Sequence, residues 1–324
     1  MALMRNIKFG GAALLSLTAS TPGWAQTAED PTCFARILPE NIRVGRLDDI
    51  KLLIGWVFDA AAAHHALASG DIIDRHSTLS KVPGFAGATD LSRLMGRYRV
   101  VRAPFDEGNG YFGVELGALE PDGHVSGLFL VNRLFRLPLL LQQPAGVATD
   151  IVTNGAMLAG WKTQAITDAN HAAAIALTDA ERLNVPLLTT GQSQAGGTAQ
   201  LQAAYLANTK PGRLVSTGFV TLNAAYVVSS VRRLGIAPSA VGGINFTNDL
   251  DPGFGPHGLL PNKIGLQVYI HPDGTGTKAA GDQTFFAALR HPGQHLLSSF
   301  NAISLTNALA SALKSSLERC ARPT

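Results

Sequence analysis

The chain is poor in cysteine, in charge, in aromatic side chains and in unbroken apolar runs. It has two cysteines in 324 residues, so no more than one internal bridge can form. Charged residues make up 15% and the formal net charge is +3. A near-neutral chain with scattered Lys and Arg lacks the basic stripe that neutralises a phosphate backbone, which argues against a nucleic-acid partner. No apolar run reaches the roughly 20 residues that cross a bilayer core, and the later stretch Leu128–Leu141 is interrupted by Asn132, Arg133, Arg136 and Pro138. Internal repeats and low-complexity segments are missing as well.

What the chain does have is apolar content, 46% of all residues, enough for one large core in a single α/β domain. At the N-terminus Arg5 and Lys8 precede an apolar stretch from Phe9 to Ala19 and then Pro22-Gly-Trp-Ala25. Basic region, short apolar region and Gly-x-Ala site together predict a secretory signal over residues 1–25, cleaved near Ala25, with residues 26–324 as the mature domain. Its removal takes away two basic residues and no acid. The expected location is therefore secreted or periplasmic, with no transmembrane segment. In an oxidising compartment Cys33 and Cys320 are expected to pair, tying the N-terminal arm to the C-terminal helix.

Periodicity predicts helices over Asp48–Ser69, Trp161–Asn184, Ala224–Leu234 and Ala302–Cys320. Strands are expected over Tyr98–Phe105, Leu214–Leu222, Ile244–Thr247 and Leu266–His271, and a hairpin of Tyr111–Leu119 with Val125–Asn132 around Pro121-Asp-Gly123. Strands alternating with helices imply an α/β fold with a mostly parallel central sheet and helices on both faces. Asn245-Phe-Thr247 has the form of a glycosylation acceptor but falls in a predicted buried strand. The run Leu134–Leu141, broken by Arg136 and Pro138, reads either as a covered loop or as a mobile apolar flap.

The stretch that organises the rest is Val185-Pro-Leu-Leu-Thr-Thr-Gly191-Gln-Ser193-Gln-Ala195-Gly196-Gly197, followed by an Ala-rich helical segment to Asn208. It reads as buried strand, sharp turn and helix, with Ser193 at the corner and small residues, Gly191 and Ala195, two positions either side. A serine hydroxyl needs a histidine to take its proton, and the histidine needs a carboxylate to fix its tautomer. The order serine, acid, histidine is available in Ser193, Asp249 after the strand Ile244–Thr247, and His291 or His295 before the last helix. Asp249 is preferred over Asp251, which precedes Pro252 and suits a turn. His295, followed by Leu296 and Leu297, is preferred over His291, which precedes Pro292-Gly293.

These segments resemble the class 3, or fungal-type, lipases of the α/β-hydrolase fold. The resemblance lies in Thr189-Thr-Gly-Gln-Ser193-Gln-Ala-Gly-Gly197, Val220-Thr-Leu-Asn-Ala224, Asn245-Phe-Thr-Asn-Asp249-Leu-Asp-Pro252, Ile264-Gly-Leu-Gln-Val-Tyr-Ile270 and His295-Leu-Leu-Ser-Ser-Phe300, within residues 110–300. It implies hydrolysis of small or lipid acyl esters through an acyl-serine, with no metal or organic cofactor. Thioester, amide or acyl-transfer chemistry on the same fold, and a non-catalytic binding protein, are the alternatives. One oxyanion donor is expected from the backbone N–H of Gln194 and a second from Asn132 or Arg133. The sequence departs from the family in having Gln192 before the serine, an additional Ala195, and Leu130-Val-Asn132-Arg133-Leu where the family carries an Arg-Gly-Thr-like segment. Leu134–Leu141 stands where these lipases carry a lid, which implies contact with a lipid interface.

Overall fold

The structure is a computed structural model that describes residues 44–62, 67–73, 91–106, 110–133, 153, 156, 161–209, 214–238, 241–248, 251, 264–270, 300 and 304–320. Seven strands form one sheet in the order of the sequence: β1 (Tyr98–Asp106), β2 (Phe112–Leu119), β3 (Val125–Asn132), β4 (Leu187–Gln192), β5 (Thr217–Leu222), β6 (Gly243–Asn248) and β7 (Leu266–Ile270). The pairs β1–β2 and β2–β3 are antiparallel, and every pair from β3 to β7 is parallel. The helices are α1 (Ile50–Ala62), α2 (Gln164–Leu183), α3 (Gln194–Thr209), α4 (Val228–Arg233) and α5 (Leu305–Cys320). Among the described residues no helix is long and apolar enough to cross a membrane.

Strand alternation divides the core into two layers. On β3, Phe129 and Val131 join the cluster that holds Leu53 and Trp56 of α1 and Leu305 and Leu309 of α5, whereas Leu128 and Leu130 join the alanines of α2. Leu188 and Leu187 on β4 divide the same way. On β5, Val220 and Leu222 face the α1 and α5 side, while Phe219 packs with Leu201 of α3 and Val231 of α4. Helices therefore cover both faces of a mostly parallel sheet. β4, β5 and β6 are buried along their whole length, as strands covered on both sides must be.

Local chemistry sets the element ends. Thr163 accepts the Ile166 N–H at 3.3 Å and starts α2, and Asn184, left-handed at φ 54°, ends it by donating its N–H toward Ala180 and Glu181. Buried Ala169, Ala172, Ala173 and Ala176 leave α2 slim enough to lie close over the sheet. Gly123, at φ 84°, closes the β2–β3 hairpin in the conformation glycine adopts without a Cβ penalty.

α2 begins at Gln164 rather than Trp161, and β5 at Thr217 rather than Leu214. Three further elements differ from the sequence expectation for a tertiary reason. α1 begins at Ile50 rather than Asp48, behind a 3-10 turn over Val44–Asp49. Asp48 instead accepts the Leu305 N–H at 2.6 Å and so caps α5 from another part of the chain, which fixes the start of α5 at Leu305 rather than Ala302. Asp49 is buried and accepts from the Tyr98 hydroxyl at 2.8 Å, with Arg93 at 2.8 Å and Arg97 at 3.2 Å. α4 begins at Val228 rather than Ala224, because the Ala225 N–H is given to the Ser193 carbonyl and Ala224 lies against Gly196. Asn245 is buried, with Nδ2 donating to the Ile264 carbonyl at 2.6 Å, so it is no glycosylation acceptor in the folded chain. Cys33, the side chain of Cys320 and the run Leu134–Leu141 lie outside the described residues, as does the signal region 1–25.

Candidate active site

β4 ends at Gln192, α3 begins at Gln194, and Ser193 alone makes the corner. Its φ is 55°, in the left-handed region that a residue with a Cβ enters at a cost of about 1–2 kcal/mol. Three backbone hydrogen bonds hold it there. The Ser193 N–H donates to the Leu222 carbonyl at 3.1 Å, and the Ser193 carbonyl accepts from Gly197 at 3.1 Å and from Ala225 at 2.9 Å. The corner is thus tied to its own helix and to the end of β5.

Two glycines make so tight a corner possible. A Cβ on Gly191 would lie 2.5 Å from the carbonyl carbon and oxygen of Ala195, and one on Gly196 would lie 2.8 Å from the Ala224 Cβ and 3.0 Å from its Cα. Both are backbone collisions that no rotamer relieves. The sequence pattern pointed to Gly191 and Ala195; it missed Gly196, whose partner Ala224 is distant in sequence. It also missed Asn223, a second non-glycine at positive φ, 43°, whose N–H donates to Phe246 O and whose Oδ1 accepts the Asn248 N–H, both at 2.8 Å. Asn223 fastens the C-terminal ends of β5 and β6 to each other beside the serine.

Parallel strands present their C-terminal ends together, and an open α/β sheet binds ligands at that edge. Here the edge carries Asn132, Gln192, Leu222 and Asn248. Gln194 opens α3, so its N–H is one of the four amides that a helix's own ladder does not use. A small cleft beside this first turn of α3 is lined by Phe112, Asn132, Arg133, Gln194, Ala195 and Thr198 among others.

Asn132 sits in a closed ring of buried side chains. The Tyr111 hydroxyl donates to Asn132 Oδ1 at 2.9 Å, Asn132 Nδ2 donates to Gln202 Oε1 at 2.8 Å, and Gln202 Nε2 donates back to the Tyr111 oxygen at 3.1 Å. Asn132 Nδ2 also donates to Thr190 O at 3.1 Å, and Gln202 Nε2 to Ala169 O at 2.9 Å. Both hydrogens of the Asn132 amide are therefore engaged. The side chain of Asn132, one of the two candidates for the second oxyanion donor, thus binds β3 to β4 and to α3. The Arg133 N–H, the other candidate, donates to Phe112 O at 3.0 Å. Burial is the main reason the Tyr111 phenol titrates well above its ordinary range.

Asp249, His291 and His295 lie outside the described residues, although Asp249 directly follows the last residue of β6. Asp251, read in the sequence as a turn former, is buried at 1% exposure, and its N–H closes the turn by donating to Asn248 O at 3.1 Å. Its charge reaches Tyr226 on the segment after β5, whose pKa is raised by burial first and then by Tyr269 and Asp251. Asp251 is therefore a buried carboxylate shortly after β6, which turn chemistry alone did not reveal.

No family model and no curated protein matches this sequence. Among solved structures, the chain is similar to the extracellular lipase LipA from Serratia marcescens at 15% identity and a TM-score of 0.39, over 64% of this chain and 35% of the lipase. The match thus spans about a third of that protein's length, and a likeness at this level carries no argument beyond the geometry already described.

Proposed function

We propose that this chain is a secreted serine hydrolase of the α/β-hydrolase fold that cleaves carboxylic esters, small-molecule or lipid, through an acyl-serine intermediate. The observation that carries the reading is the left-handed backbone at Ser193. A corner needed only for the turn would be made most cheaply by glycine, yet a serine is held in it by three backbone hydrogen bonds. Strain maintained against that alternative is the mark of a functional position. The resemblance to class 3 lipases supports the remaining roles.

In this mechanism Ser193 Oγ attacks the acyl carbonyl carbon while His295 takes the hydroxyl proton, and Asp249 orients the imidazole and stabilises its charged form. The carbonyl oxygen becomes an oxyanion next to the Gln194 N–H. As the tetrahedral intermediate collapses, the ester oxygen leaves with the proton from His295. Water then adds to the acyl-serine through the same base, releasing the acid and restoring Ser193. Leu134–Leu141 starts directly after Arg133, which lines the cleft, and in this reading borders the site and meets the lipid interface.

A fluorophosphonate probe applied to protein from the exported fraction tests the assignment. The expected adduct is on Ser193, in a chain whose intact mass begins at Gln26 and includes a Cys33–Cys320 bridge. Folded protein that takes up no probe would remove the hydrolase reading.

A further inference from the structure

Asn223 is fully buried and its φ is 43°, so two residues that carry a Cβ, Ser193 and Asn223, enter the left-handed region at this one corner. The bonds on either side of Asn223 both run to Ser193. Leu222, just before it, accepts the Ser193 N–H at 3.1 Å, and Ala225, two residues after it, donates its N–H to the Ser193 carbonyl at 2.9 Å. The left-handed turn at Asn223 therefore sits between the two bonds by which the end of β5 grips the serine, and it lays Ala224 against Gly196. Glycine would make that turn without strain, but it could not anchor it. Asn223 gives its own N–H to Phe246 O at 2.8 Å, a regular parallel bond, and the next bond toward β6 is taken by its side chain, whose Oδ1 accepts the Asn248 N–H at 2.8 Å. The amide carries the sheet on where the backbone has turned away toward Ser193.

We propose that Asn223 is a positioning residue for Ser193: its turn places the two bonds that grip the serine, and its amide locks that turn to β6, so that Ser193 is kept in its left-handed conformation. That Ser193 is a nucleophile rests on the hydrolase reading; that Asn223 holds it rests on the hydrogen bonds. Asn223→Gly separates turn from anchor, because it keeps φ 43° accessible and removes the amide. Two measurements read the result. In urea melts, Ser193→Gly should raise the midpoint of the unaltered chain and raise it less in the Asn223→Gly background, where the serine is no longer forced and less strain is left to relieve. The second-order rate of fluorophosphonate labelling should fall about tenfold or more in Asn223→Gly, as it does when a reacting group is displaced slightly. Asn223→Asp, which keeps an acceptor at the same atom and tolerates positive φ, should retain most of that rate. Gly123→Ala, at the β2–β3 turn, controls for lost stability alone and should label at the full rate. Equal midpoint shifts from Ser193→Gly in the two backgrounds, or full-rate labelling of Asn223→Gly, overturn the proposal. Should the unaltered protein take up no probe, the hydrolase reading fails by itself. The midpoints then decide the hold of Asn223 on Ser193: unequal shifts support it, and equal shifts overturn it.

Discussion

The parallel half of the sheet and its antiparallel half each hold one group in an unfavourable state, Ser193 in left-handed backbone and Glu115 out of water, and the two are supported in opposite ways. Around Ser193 the fold supplies three backbone hydrogen bonds, two glycines without space for a Cβ, and the Asn223 link between β5 and β6. Glu115, in the middle of β2, has no exposed surface, and neither carboxylate oxygen has a hydrogen-bond partner among the described residues. Arg102 lies 3.8 Å from it but gives its hydrogen bonds to Asp179, at 3.0 and 2.5 Å, and Arg182 reaches Asp179 at 3.2 Å. Burial first, and then the Asp179 charge, push the Glu115 carboxyl up to about 8. One strained group is held by everything around it; the other is tolerated in its neutral form. Unfavourable states mark function where the surroundings enforce them.

Substitutions in the two halves should separate these cases. Gly196→Ala is expected to have the largest effect, about 3 kcal/mol of stability and the loss of probe labelling, because its Cβ meets the backbone of Ala224. Chemical denaturation beside fluorophosphonate labelling reads both; full labelling in that variant would detach the corner from the chemistry. For Glu115 the sign follows from its raised pKa: the folded state keeps a proton that the unfolded state loses above 4.5, so stability falls as pH rises from about 4.5 to about 8. Glu115→Gln should flatten that slope by no more than about 3 kcal/mol between pH 5 and 8 while leaving labelling unchanged. Urea melts of both proteins at the two pH values check it, and parallel slopes would count against a buried neutral carboxyl.

Gln202→Leu should destabilise by about 2 kcal/mol by opening the ring with Tyr111 and Asn132. It should also slow labelling of Ser193, since Asn132 would no longer be fixed against α3. An unchanged labelling rate would make the ring purely structural. Smallest of all, Gly123→Ala at the hairpin turn has open space for the Cβ and unfavourable φ only, so about 1 kcal/mol should be lost and labelling should be unaltered.

Elements governed by local chemistry were legible in the sequence. Pro121-Asp-Gly123 marks the hairpin because the turn needs positive φ at Gly123, and Gly191 marks the corner because a Cβ there would collide with Ala195. The site's surroundings were not legible to the same degree. α4 starts late because Ala224 and Ala225 are occupied by Gly196 and Ser193, contacts that join β4 and β5 across about thirty residues of chain. The Tyr111–Asn132–Gln202 ring joins three separate elements, and neither spacing nor residue type announces it. Asn132 was a donor candidate only through the place of Leu130-Val-Asn132-Arg133-Leu in the family resemblance; its amide is used toward β4 and α3. Asp251 looked like a turn residue because of Pro252, and its burial depends on what packs around β6.

The most direct test is Ser193→Gly. Glycine adopts φ 55° without the Cβ penalty, so a serine retained at that corner for chemistry should be exchanged for a protein that is more stable by about 1 kcal/mol and that takes up no fluorophosphonate, whereas the unaltered chain is labelled on Ser193. A less stable Ser193→Gly protein, or probe uptake that persists in it, would contradict the assignment of Ser193 as a strained nucleophile.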